Sequence, residues 1–501
     1  MRSKKAMYNI GTNIILQLIT IAYGFIVPLI IINNFGSDVN GLVSSITQFL
    51  AYIALLESGF GPVVKSALYK PIANKDKKTI ANILKTTEKF FRNIAYIFLG
   101  YIALLCIFYP LIVSNNFSYI YTISLIVIIA ISTFAEYYFG MTYRLFLQAK
   151  QKTYIISVIQ IVTYVLATIS IVVLALLGAN IQIIKLASGL IFILRPLLQN
   201  YYVKKKYKID FKNTDEKYDL KQKWDGLAQH IAAVIHGNTD ITVLTFFVSL
   251  AEVSVYSVYY LVVKALKSLI QSFTIGIDAS FGDMIAKKEK ENLNNRFSMY
   301  EVLYNSISTI VFTCSIILIV PFVSVYTKGI TDANYIRYVF GALIVISEYV
   351  WAIRLPYSSI TLAAGHFKET RIGAWVECIT NIVISVALVI KFGLVGVAIG
   401  TIVAMTIRTI EFVYHTNKYI LDRSIWESIK KILLVIIETI IIVIICKYLP
   451  FVSNISYTHW IINAIMVFVV ACIVTIGINY IFYRNEFKEL DIIMKRLIIK
   501  K

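Results

Sequence analysis

GTNIILQLITIAYGFIVPLIIIN, residues 11–33, runs from Gly11 to Asn33 without one charged side chain. At about 1.5 Å per helical residue, a run of this length crosses a hydrocarbon layer about 30 Å thick. Runs of the same kind recur along the chain. With 501 residues, 58% hydrophobic and 15% charged, and a mean hydropathy of +0.74, the sequence holds more apolar side chain than one soluble core can hide. A large soluble enzyme is excluded, and the expected class is an all-α polytopic membrane protein.

Reading apolar runs against polar breaks gives about fourteen spans. The first six lie near Gly11 to Asn33, Val39 to Val63, Asn93 to Val113, Ser118 to Gly140, Thr153 to Leu177 and Ile183 to Tyr202. The next six lie near Ala228 to Val248, Glu252 to Ile277, Glu301 to Val325, Asn334 to Tyr357, Gly373 to Ile390 and Leu394 to His415. Two more follow, near Ile432 to Leu449 and Trp460 to Tyr483. This divides the chain into a six-helix bundle (1–202), a charged linker (203–227), a second six-helix bundle (228–415), a short linker (416–431), and an added helix pair with a tail (432–501).

The charges test this count. Lys and Arg total 48 against 28 Asp and Glu, a balance of +20 that in a soluble protein points to nucleic acid. Here the bilayer explains it, and no nucleic-acid partner is expected. About 38 of the 48 fall in the terminus and loops assigned to one face, while only Lys328, Lys391 and Lys447 fall on the other. Basic residues of short loops stay cytoplasmic, so both termini are expected inside and the span number is expected to be even. The first apolar run passes into a second without a small-residue cleavage site, so the first helix is read as retained.

The breaks are too short for an external catalytic domain. No GxxxxGK[ST], HExxH or GxSxG is present, and residues 59–66 offer Val where a phosphate loop needs its second glycine. The five cysteines, Cys106, Cys314, Cys378, Cys446 and Cys472, form no CxxC pair and all sit in apolar runs. No catalytic residue, metal site or cofactor is expected, and function must reside among the helices. The two six-span sets share landmarks: Glu136-Tyr137 precedes Arg195 by almost the interval at which Glu348-Tyr349 precedes Arg408. Six spans each give both sets one orientation, hence a parallel repeat. That suits two bundles that rock about a central path, with a static helical scaffold as the alternative.

An ionised side chain at the membrane centre costs roughly 2.5–3.5 kcal/mol on insertion scales, so the charges within spans are the informative residues. Lys264 and Lys267 share one face of the eighth span. Arg195 precedes Pro196, and Arg354 lies just before Pro356; a proline can kink a helix beside its cation. With Arg408 these are candidate contacts for an anionic group, arginine being suited to a diphosphate by its planar fork. Snorkelling to the interface is the alternative for Arg195, Arg354 and Arg408. Glu57, Glu136, Asp240, Glu348 and Glu377 are candidate carboxylates for structural pairing or for a coupling ion, H+ or Na+.

The stretch Asn9-Ile-Gly11, Pro28, Asn34-Phe-Gly36, Asn40-Gly41-Leu42 and Leu55-Leu-Glu57-Ser-Gly59-Phe-Gly61 resembles the Wzx-type polysaccharide flippases. These form the bacterial polysaccharide transporter family of the multidrug/oligosaccharidyl-lipid/polysaccharide exporter superfamily. Glu57 stands where that family commonly has Asp. Residues 364–370, then Gly393 to Thr401 and Arg408, resemble its second half. The resemblance implies alternating-access export, across the bacterial plasma membrane, of an oligosaccharide repeat unit on undecaprenyl diphosphate, for capsule or exopolysaccharide. It also implies gradient coupling, and a polysaccharide polymerase and assembly machinery as partners. Arg195, Arg408, Lys264, Lys267 and Arg354 are its candidate diphosphate contacts. A lipid II flippase is the alternative reading. A membrane glycosyl polymerase is disfavoured, since it usually needs large external loops.

Overall fold

In a bilayer no water satisfies a lipid-facing backbone, so a chain this apolar is forced into helices or a closed barrel. The computed structural model describes residues 2–57, 59–209, 227–274, 277–452 and 454–486. Most of the charged linker, residues 210–226, and the tail, 487–501, lie outside the described residues. Everything regular among the described residues is helical, in two compact units, Met1–Ser254 and Val255–Lys501.

The first unit contains α1 (Arg2–Phe35), α2 (Ser37–Ala51), α3 (Ala54–Glu57), α4 (Phe60–Ala73), α5 (Lys77–Ile112), α6 (Tyr119–Ala135), α7 (Met141–Ala149), α8 (Thr153–Leu176), α9 (Ile181–Tyr207) and α10 (Leu227–Phe247). It also takes the first turn of α11 (Leu250–Ser272). The rest of α11 opens the second unit, followed by α12 (Ile277–Ala286), α13 (Lys290–Tyr326), α14 (Tyr338–Ala363), α15 (Arg371–Phe392), α16 (Leu394–His415), α17 (Ile425–Lys447) and α18 (Tyr457–Phe482).

Twelve helices among the described residues are long and apolar enough to cross a membrane. The other two expected spans also form long helices, α10 and α17, but are too polar to meet that measure, with Asn238 and Asp240 in one and Lys430, Lys431 and Glu438 in the other. The boundaries are set by local chemistry. Asp76 caps α5, its Oδ1 accepting from the Thr79 amide at 3.0 Å and its Oδ2 from the Thr79 hydroxyl at 2.6 Å, and these bonds hold its carboxyl below the usual range. Asn180, Ser424 and Ser456 cap α9, α17 and α18 in the same way.

Two expectations are corrected. The span expected from Val39 to Val63 is not one helix: the chain turns at Tyr52 and Ile53, and Gly59, at φ 76°, starts α4 in a new direction. The expected linker 416–431 is largely helical, because α16 continues into a π-helical turn, Thr416–Leu421, and α17 begins at Ile425. The division between compact units falls after Ser254, past the charged linker, so α10 and the first turn of α11 group with the first unit. Side-chain bonds to α2 explain this: Ser45 to Thr245 at 2.8 Å, Tyr52 to Thr242 at 3.0 Å, and Asn40 Nδ2 to Ser254 Oγ at 2.8 Å. Gly41 makes that packing possible, since a Cβ there would overlap the Leu250 carbonyl.

Candidate functional site

In the first unit α6 passes into α7 through a second π-helical turn, Glu136–Gly140. Such a turn holds one residue more than an α-helical turn and re-aims its side chains. Tyr137 donates to Glu57 Oε2 at 3.1 Å, and Arg144 Nη1 lies 3.4 Å from Glu136 Oε1. Both carboxylates are half-buried. Pro196 of α9 packs against Gly140, where a Cβ would also crowd the Glu136 carboxylate.

Arg195, one residue before that proline, stands in a different environment. Its Nε donates to Thr163 Oγ1 at 2.7 Å, and its guanidinium carbon lies 4.1 Å from the Tyr164 ring centre and 4.0 Å from that of Phe192. Tyr23 of α1 adds a third ring, 4.9 Å from Tyr164. Two aromatic faces compensate part of the charge, each worth roughly 0.5–2 kcal/mol. No carboxylate among the described residues pairs with Arg195, and its buried Nη2 has no hydrogen-bond partner. Asp240 is half-buried on α10.

The second unit treats its arginines differently. Arg354 of α14 places Nη1 2.6 Å from Glu377 Oε1 of α15. Arg408 of α16, 5% exposed, donates from Nη1 to Glu411 Oε2 at 2.5 Å and to the Thr370 carbonyl at 2.7 Å, stacks over Phe412, and brings Nε within 3.8 Å of Glu377 Oε2. Two guanidinium groups and two carboxylates thus close on one another. Gly373 leaves the room for them, since a Cβ there would fall on the Glu411 carboxylate. Lys267 lies 2.8 Å from Glu348 Oε2 and 4.3 Å from the Trp351 ring centre, whereas Lys264, one turn earlier on α11, is exposed and has no carboxylate partner among the described residues. Of the five candidate cations, Arg354, Arg408 and Lys267 therefore have carboxylates in place, and Arg195 and Lys264 do not. The repeat landmarks also diverge: Tyr137 bonds Glu57, while its counterpart Tyr349 donates to Thr309 Oγ1 at 2.8 Å.

One charge cluster escapes the sequence reading. Glu301, fully buried on α13, takes Lys431 of α17 at 2.7 Å and Arg423 at 3.0 Å on Oε2, and the hydroxyl of Tyr357 on Oε1. Arg423 is held further by Asn417 Oδ1 at 2.6 Å and Ser428 Oγ at 2.9 Å, and Lys431 by Ser298 Oγ at 2.6 Å. In the sequence Arg423 and Lys431 lie in a basic break between apolar runs, where cations are ordinary. The signal was their spacing, because Ser428, Lys431, Val435 and Glu438 form one face of α17.

No family model and no curated protein matches the chain. Solved structures do. The lipid II flippase MurJ in an inward closed conformation aligns with a TM-score of 0.69 at 16% identity, covering 96% of this chain and 99% of that one. An inward-facing multidrug resistance MATE family transporter of the MOP superfamily aligns at 0.66 and 14% identity, covering 82% of this chain and 98% of that one. A Vibrio cholerae MATE transporter aligns at 0.57 and 14% identity, over 85% and 99%. At such identities the likeness is one of fold: a multi-pass helical membrane protein with the architecture of these flippases and transporters.

Proposed function

We propose that the chain is a flippase that carries an oligosaccharide linked to undecaprenyl diphosphate across the bacterial plasma membrane by alternating access, for capsule or exopolysaccharide assembly. The reading is supported most by Arg195, a cation within a membrane span with aromatic faces on two sides, a buried N–H without a hydrogen-bond partner and no carboxylate in ion-pair contact among the described residues, Glu136 acting on it only from a distance. A diphosphate supplies the missing anion, and a low local dielectric strengthens the contact. Lys264 offers a second free charge. Arg354 and Arg408, already neutralised by Glu377 and Glu411, serve the packing of α14, α15 and α16 in this reading. A protein path spares the sugar hydroxyls the loss of their hydrogen bonds in the hydrocarbon, a cost of roughly 2–7 kcal/mol each. A polymerase and assembly machinery on the outer face would receive the product.

A second reading, transport of lipid II, is favoured by the MurJ likeness, which spans nearly both chains. The two substrates share the diphosphate and the polyprenyl tail and differ in the sugars. Purified protein in liposomes, given fluorescent lipid-linked oligosaccharide or fluorescent lipid II in one leaflet, separates them: export of the first and not the second is expected. The Arg195→Gln, Lys264→Gln double variant is expected to slow flipping at least tenfold. Full activity in that variant would remove the cation assignment, and flipping of lipid II alone would install the second reading.

A further inference from the structure

Glu438 is 1% exposed on α17 and has no cationic partner among the described residues. Asn479 of α18 donates from Nδ2 to its Oε1 at 2.6 Å, and its buried Oε2 has no hydrogen-bond partner among the described residues. Around it the four helices α13, α14, α17 and α18 present a polar patch. Thr309 of α13 lies beside the carboxyl, and Tyr349 of α14, which donates to Thr309, also contacts Thr439 of α17 at 3.3 Å. The titratable and charged groups facing this patch are Tyr349 from α14, Tyr483 just beyond α18, and, two turns back along α17, Lys431 with its partner Glu301 of α13. Lys431 is committed to Glu301, so among the described residues no positive charge pairs with Glu438. A buried carboxyl group without a cation is favoured in its neutral, proton-bearing form.

The surroundings of Glu438 differ at its two ends. On the side of Lys431, α13 presents Glu301, Asn305 and Ser308 along one face, with Thr309 level with the carboxyl; on α18, which runs antiparallel to α17, Asn479 faces Glu438 and Thr475 lies one turn toward Ala471. Both amide atoms of Asn305 and the hydroxyls of Ser308 and Thr475 are buried without partners. On the other side Ile442, Cys446, Val467, Ala471 and Leu318 form an apolar cluster.

We propose that Glu438 is a proton-binding site inside the second unit, reached from the Lys431 end of α17 along the polar row and sealed from the opposite end by the apolar cluster. The proton sits on Oε2, while Oε1 accepts from Asn479. On release the Oε2–H bond breaks, its electron pair stays on the carboxylate, and the proton leaves on a water. Asn305 and Ser308 mark the way out. The site serves as the coupling site of the transporter. That role rests on the transport reading, whereas proton binding itself does not.

Infrared difference spectra of the purified full-length protein test the binding without any transport assay. A protonated carboxylic C=O band is expected at neutral pH, to be lost in Glu438→Gln and unchanged when Na+ replaces K+. Should that variant fail to fold, Asn479→Ala keeps the acid but removes the donated N–H, so the band moves to higher frequency. An Asn305→Leu change is expected to slow deuterium exchange at the acid at least severalfold. A spectrum identical in wild type and Glu438→Gln, a band that stays in place in Asn479→Ala, or one that Na+ abolishes overturns the proposal. Flipping that responds to a pH gradient in wild type but not in Glu438→Gln supports the coupling role. A gradient response that survives Glu438→Gln overturns that role.

Discussion

Within a membrane the difference between a structural and a substrate-binding arginine is what neutralises it. Arg354 and Glu377, at 2.6 Å and largely buried, compensate each other, and Arg408 is compensated by Glu411. Removing one member of such a pair leaves a charge in low dielectric and typically costs about 3–5 kcal/mol. Glu377→Gln is therefore expected to destabilise the protein by about that amount, read from denaturant or thermal unfolding in detergent. Arg195→Gln strands no carboxylate, and the cation–π and packing energy it loses is offset by the desolvation cost of the cation it removes, so its stability cost is expected to stay below that of Glu377→Gln while flipping slows. If the two variants destabilise equally, the distinction between the two kinds of arginine fails. Gly373→Ala belongs with the first group. The added methyl meets Glu411 and Arg408, and a cost of about 1–3 kcal/mol is expected from the same melt.

At the scale of elements, close approach and interrupted helices do what hydropathy does not record. The first turn of α11 reaches α2 only because Gly41 has no side chain, and the Asn40 to Ser254 bond follows from that contact. A disulfide between Asn40→Cys and Ser254→Cys, in a background without the five native cysteines, is expected to form readily and to be suppressed by Gly41→Leu. Equal yields with and without the leucine would show that the glycine does not set this approach. The spans themselves were legible as apolar runs, because a helix that must satisfy its own backbone leaves a run of about twenty apolar residues. The break after Tyr52 and the two π-helical turns were not, since each is a local hydrogen-bonding choice that the same apolar letters also permit. The candidate charges were legible as charges, but their partners were not. Arg408 and Glu411 are neighbours at i and i+3 and readable in principle. The pairing of Glu301 with Arg423 and Lys431 joins residues more than a hundred positions apart and needed the fold.

For the whole molecule, the strongest constraint is the uneven placement of basic residues. Ser37, after α1, and Asn180, before α9, are separated within the first unit by the runs of α2, α5, α6 with α7, and α8, an even number of crossings, so they share a face. The turn holding Lys150, Gln151 and Lys152 lies one crossing away from Asn180, and Lys204, Lys205 and Lys206 lie at the far end of α9 from it. Moving either basic group to the outside would require carrying two or three ammonium groups across the hydrocarbon, at a cost of several kcal/mol each during insertion. In cells producing the cysteine-free protein, Ser37→Cys and Asn180→Cys are therefore expected to react with an impermeant maleimide from outside, and Gln151→Cys only after permeabilisation. Labelling of Gln151→Cys in intact cells would invert the first unit. The oligosaccharide lipid would then have to start its journey on the opposite face, so the direction of transport and the placement of the basic loops stand or fall together.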